Sequence, residues 1–233
     1  MNDPNLQALP AETDGLAREV FTAVLGAGRG GAEKVRVVTA EAIDRLLDRV
    51  ALTVVHDPAD VFDADDAVRR IEEVTNNVGN TATVIGAPWL VNQAMRFVRK
   101  GKFVPSTALI TATATTLASM TAGVAHLRVL ASLLVHRLRA GGHRVDPMFV
   151  RRVAVALYLH PDRGVTAVTP NATTGVRLAF DWGTRAVPLL GSRKTSSRVQ
   201  RAAHAIHELD LEAALAQFER SRAIDLRAAT PAD

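Results

Sequence analysis

Two imidazoles and a carboxylate, His204, His207 and Glu208, stand close enough in sequence to share one face of a helix, where residues three and four apart are neighbours. Such a group could hold a divalent metal. The order His-x-x-His-Glu matches none of the zinc-protease motifs, and no distant third ligand is indicated. The three therefore read as a solvated or partly packed helix face, and no metal site is expected. His126 stands in a long uncharged stretch, which points to a core histidine rather than a base or ligand, and His136 follows ten residues later. Gly26-Ala27-Gly28-Arg29-Gly30-Gly31 formally fits G-x-G-x-x-G, whose backbone amides cradle a pyrophosphate when a strand precedes the glycines and a helix follows. Here Leu16 to Leu25 reads as a helix, so the glycines read as an interhelical loop and no nucleotide cofactor is implied.

No Walker lysine pattern and no G-x-S-x-G elbow occurs, and no local Ser, His and Asp grouping is recognisable. With no cysteine among 233 residues, cysteine nucleophiles, thiolate metal sites and disulfide frameworks are excluded. No catalytic constellation stands out, and the chain reads as non-enzymatic.

The remaining chemistry is ionic. The formal net charge of +4 hides three opposed blocks. Residues 1–90 carry 8 Lys/Arg against 15 Asp/Glu, residues 91–205 carry 17 against 3, and residues 206–233 carry 3 against 6. A central block of +14 favours contact with something anionic: phospholipid headgroups, nucleic acid, or the acidic N-terminal part of the same chain. Two clusters dominate it, Arg96/Arg99/Lys100/Lys102 and Arg193/Lys194/Arg198/Arg201. Trp89, Phe97 and Phe103 accompany the first. Rings beside cations suit a membrane interface, where aromatic side chains sit at headgroup level and each basic residue contributes about 1 kcal/mol toward an anionic surface. Single-stranded nucleic acid could use the same features through stacking and phosphate contact, and a solvated interhelical loop would carry them too.

The elements that position these groups are helical. Val35, Val38, Ala42, Leu46, Val50 and Val54 recur at spacings of three or four and predict a helix from about Glu33 to Val55, stopped at Asp57-Pro58. An acidic loop from Asp60 leads into a helix from about Asp65 to Val74. Pro105 and Gly141-Gly142 bracket one long helix rich in Ala and Thr. Asp146-Pro147 starts another, running to about Leu159, with Met148/Phe149, Val153, Leu157 and Tyr158 inward and Arg151 and Arg152 on the polar side. A weak helix over 173–190, a basic loop from Ser192 to Ser197, and helices near 196–208 and 211–222 complete the reading. The expected fold is all-α: a single bundle-like domain over residues 15–222, built around the long Ala/Thr-rich helix, with flexible tails at 1–14 and 223–233.

Residues 74–95 and 103–125 contain no charged side chain, which raises the question of membrane spans, since a span needs roughly 20 mainly apolar residues. Their content favours a buried helix pair instead. The first holds Asn76, Asn77, Asn80 and Asn92, and Ser106 to Thr121 includes eight Ser/Thr. Small side chains also let helices approach closely. Together with Arg96 to Lys102 the two stretches predict a helical hairpin with a positive tip. The polar, acidic N-terminus lacks the pattern of a secretory signal, so the expected location is cytoplasmic, with a peripheral position on the inner face of the cell membrane allowed by the basic block.

The small-residue stretch 107–123 leading into GVAHLRVLASLLVHRL, the Asp146-Pro147 start with VRRVAVALYL, the segment RAVPLLG from Arg185 to Gly191, and the ending with Ala213, Ala214 and Phe218 resemble the EcsC family of bacterial proteins. The resemblance covers roughly residues 60–220, with Thr and Ala where that family often has a glycine-rich run. It implies a hydrophobic, membrane-proximal accessory role linked to an ABC-transporter operon, and supplies no catalytic residues. The leading expectation is thus an accessory protein docking on an anionic membrane surface or a membrane-bound partner. A nucleic-acid-binding helical module is one alternative. A small-ligand carrier or enzyme, using Thr hydroxyls and His126, is another.

Overall fold

The computed structural model describes residues 32–73, 107–162, 178 and 192–229, with side chains described over 43–73, 122–162, 178 and 197–222. Those residues are helical and contain no strand, so the fold is all-α. The helices are α1 (Ala32–His56), α2 (64–73), α3 (Thr107–Ala140), α4 (Pro147–Leu159), α5 (Ser192–His207) and α6 (Leu211–Ala229). α1, α3 and α4 pack on one another, and α5 lies against α3 and α4.

Each helix buries a face that its sequence marks out. On α1 Ile43, Leu46, Leu47, Val50 and Val54 line one stripe, spaced three or four apart as an amphipathic helix requires. On α5 the stripe is Val199, Ala202, Ala203 and Ile206, and on α6 it is Ala214 and Phe218. α3 differs, because every residue from 123 to 135 is buried. A helix enclosed on all sides is the centre of its domain, the position expected for this long helix. Its buried part is Val/Leu-rich, and the Thr-rich part lies outside the described side chains. On α4 Phe149, Val153, Leu157 and Tyr158 face inward as expected, whereas Met148 is half exposed. The ring of Phe149 meets Phe218 of α6 edge-on, with centroids 5.4 Å apart.

Helix ends follow local chemistry. Asp146 caps α4, its Oδ1 accepting the Met148 amide at 2.8 Å, and Pro147 occupies the first helical position, where a missing N–H costs nothing. α3 ends in a Schellman turn: the His143 amide donates to Leu138 O at 2.9 Å and the Gly142 amide to Arg139 O at 3.0 Å. Gly142 has φ of 72°, a backbone region where a Cβ is unfavourable by about 1 kcal/mol or more. Gly142→Ala is therefore expected to lower stability by about 1 kcal/mol, read as a lower urea midpoint at unchanged slope.

Two boundaries differ from the sequence reading. The basic segment from Ser192 to Ser197, expected as a loop, forms the first turns of α5, and α6 continues past 222 to Ala229. The expected helices at 16–25 and 173–190, apart from the buried Leu178, and the first arm and basic tip of the expected hairpin lie outside the described residues, whereas its second arm, 103–125, is helical from Thr107 as part of α3.

Candidate functional site

Of the residues singled out for anionic contact, Arg96, Arg99, Lys100, Lys102, Trp89, Phe97 and Phe103 lie outside the described residues. Arg193 and Lys194 stand in the first turn of α5, with side chains outside the described set. Arg198 and Arg201 are described, and both meet protein groups. Arg201 Nη1 donates to both carboxylate oxygens of Asp162 at 2.9 and 3.0 Å. The guanidinium of Arg198 lies 5.8 Å from the ring centroid of Tyr158, within cation–π range. Both contacts tie α5 to the C-terminal end of α4.

Arg151 and Arg152 show the same behaviour. Arg151 on α4 reaches across to α1, with Nη1 2.5 Å from Asp48 Oδ1 and Nη2 2.7 Å from Asp44 Oδ1. Part of the central charge is thus met by the acidic N-terminal block, one of the three anionic partners that the charge pattern allows. Arg152 donates to Ser221 Oγ at 3.4 Å and lies 5.2 Å from the Phe218 ring. Arg144 is exposed. Burial raises the Asp44 carboxyl above its usual 3.8, with Asp48 adding to the rise and Arg151 opposing it. A carboxyl whose folded-state value is raised contributes most below its unfolded value, and that contribution is lost as pH rises through the folded value. Asp44→Asn should match the parent below pH 3.8 and gain on it as pH rises toward neutrality, measurable by denaturant unfolding at the two ends of that range.

Three polar side chains on the last turns of α3 were not foreseen. Ser132, His136 and Arg139 follow one another at spacings of four and three; the first two bind the backbone of Ala59 between α1 and α2, and the third binds the last turn of α1. Ser132 Oγ accepts the Ala59 amide at 3.0 Å and its hydroxyl donates to Arg128 O at 2.9 Å. His136 Nε2 lies 2.9 Å from Ala59 O; a carbonyl only accepts, so Nε2 donates. Arg139 Nη2 donates to Val55 O at 2.7 Å, satisfying a last-turn carbonyl of α1. The ring of Phe62 covers His136 at 4.5 Å between centroids. The sequence signal was a polar i, i+4, i+7 stripe on an otherwise apolar helix.

Arg137 does the equivalent for α5. Its Nη1 donates to Ile206 O and, at 3.1 Å, to Leu209 O, so one guanidinium holds the α5–α6 turn against α3. Arg137→Met keeps the stem packing and removes these bonds. A charged hydrogen bond contributes about 1.5–3 kcal/mol, so the variant should lose about 2 kcal/mol, with faster amide exchange confined first to the end of α5.

Among the described residues, no group of three His, Cys, Asp or Glu side chains could hold a metal ion, and His204, His207 and Glu208 are all exposed. His126 is 2 % exposed, a core histidine as its uncharged surroundings suggest. The glycine run 26–31 lies outside the described residues. No helix among the described residues is long and apolar enough to cross a membrane.

Compared with protein-family models, with curated proteins and with solved structures, the chain matches none. Arg137, Arg139, Arg151, Arg152 and Arg201 act structurally, tying α3 to the α5–α6 turn and to the end of α1, α4 to α1 and α6, and α5 to the segment after α4. Arg144 is exposed, and Arg96 to Lys102 and the side chains of Arg193 and Lys194 lie outside the described set.

Proposed function

We propose that the protein is a non-enzymatic, cytoplasmic helical accessory protein that docks peripherally on an anionic membrane surface. Arg96, Arg99, Lys100 and Lys102 supply the attraction, and Trp89, Phe97 and Phe103 the interfacial rings; Arg193 and Lys194 supply further charge. The observation that carries this reading is the position of the basic cluster Arg96 to Lys102, part of the +14 block, between the two longest uncharged stretches of the chain, 74–95 and 103–125. The engagement of Arg151 and Arg201 by Asp44, Asp48 and Asp162 supports assigning the docking charge to the first cluster rather than to these two arginines. The resemblance to the EcsC family adds a membrane-proximal setting to the same proposal.

Flotation of the intact chain with lipid vesicles tests it. The expected result is co-flotation with vesicles containing phosphatidylglycerol, loss of binding to purely zwitterionic vesicles, and release at high salt as the surface charge is screened. Equal recovery at the bottom of the gradient with both lipids would sink the proposal. Salt-steep binding to single-stranded nucleic acid without vesicle binding would reassign the same arginines.

A further inference from the structure

We draw no further inference here: the strongest candidate, the exposed Leu52, Phe62 and Met148 at the end of the bundle where α1 and α3 finish and α4 begins, carries nothing because nothing in the structure shows what covers it.

Discussion

Leu134→Ala is expected to lower the unfolding free energy by about 3 kcal/mol, within the 2–5 kcal/mol range for large-to-small changes in a close-packed core. Leu134 is 0 % exposed on the one helix whose residues 123–135 are buried on every side. Neighbours from α1, α4 and α5 are themselves packed on α3, so the site has little freedom to collapse into the space left behind. The same substitution at Leu52, which is 50 % exposed on α1, removes much less buried surface and gains helix propensity; it should change stability by less than about 1 kcal/mol. For a chain of this size about 3 kcal/mol corresponds to a fall in Tm of roughly 6–12 °C. Calorimetry or a denaturant titration on the pair checks the argument. Similar losses at both positions would mean that α3 is not the centre of the packing.

Local features of the fold were legible where one residue type does one job. The Asp146-Pro147 start, the Gly141-Gly142 stop and the four-residue spacing of Leu46, Val50 and Val54 each encode their element within a few residues. The start of α5 was not, because Ser192 to Ser197 is basic and rich in hydroxyls, a composition shared by loops and by the exposed first turns of a helix whose apolar stripe begins only at Val199. Met148 and Phe149 are adjacent and comparably apolar; only the packing direction of α4 puts Phe149 against Phe218 and leaves Met148 half exposed.

The candidate site was less legible, for a physical reason. Arg137, Arg139 and His136 bind backbone carbonyls 69 to 84 residues away, and a carbonyl leaves no mark on side-chain identity. Arg201 pairs with Asp162 across 39 residues and Arg151 with Asp44 across 107, separations that charge counting along the chain cannot link. Regional charge measured how many arginines the middle of the chain holds. It could not single out those that fasten helices.

Singling them out makes a quantitative expectation possible for membrane binding. Replacing Arg96, Arg99, Lys100 and Lys102 together with glutamine removes four charges; at about 1 kcal/mol each near an anionic surface the loss is about 4 kcal/mol, or roughly a thousand-fold in partition coefficient. Arg201→Gln removes a charge already met by both oxygens of Asp162, so its effect on vesicle binding should stay within about threefold, with at most a small loss of stability from an exposed pair. Partition measured against increasing phosphatidylglycerol content distinguishes the two variants, and unfolding curves establish that both remain folded. If long-range field alone governed attachment, the loss would follow net charge, and Arg201→Gln would fall by about a quarter of the quadruple variant's loss on a logarithmic scale, close to sixfold. If the Arg96–Lys102 segment is the docking element, that proportionality fails and the loss concentrates there. Salt sharpens the contrast: at physiological ionic strength the screening length is about 8 Å, so charges held away from the lipid contribute little and those at the headgroups keep most of their attraction.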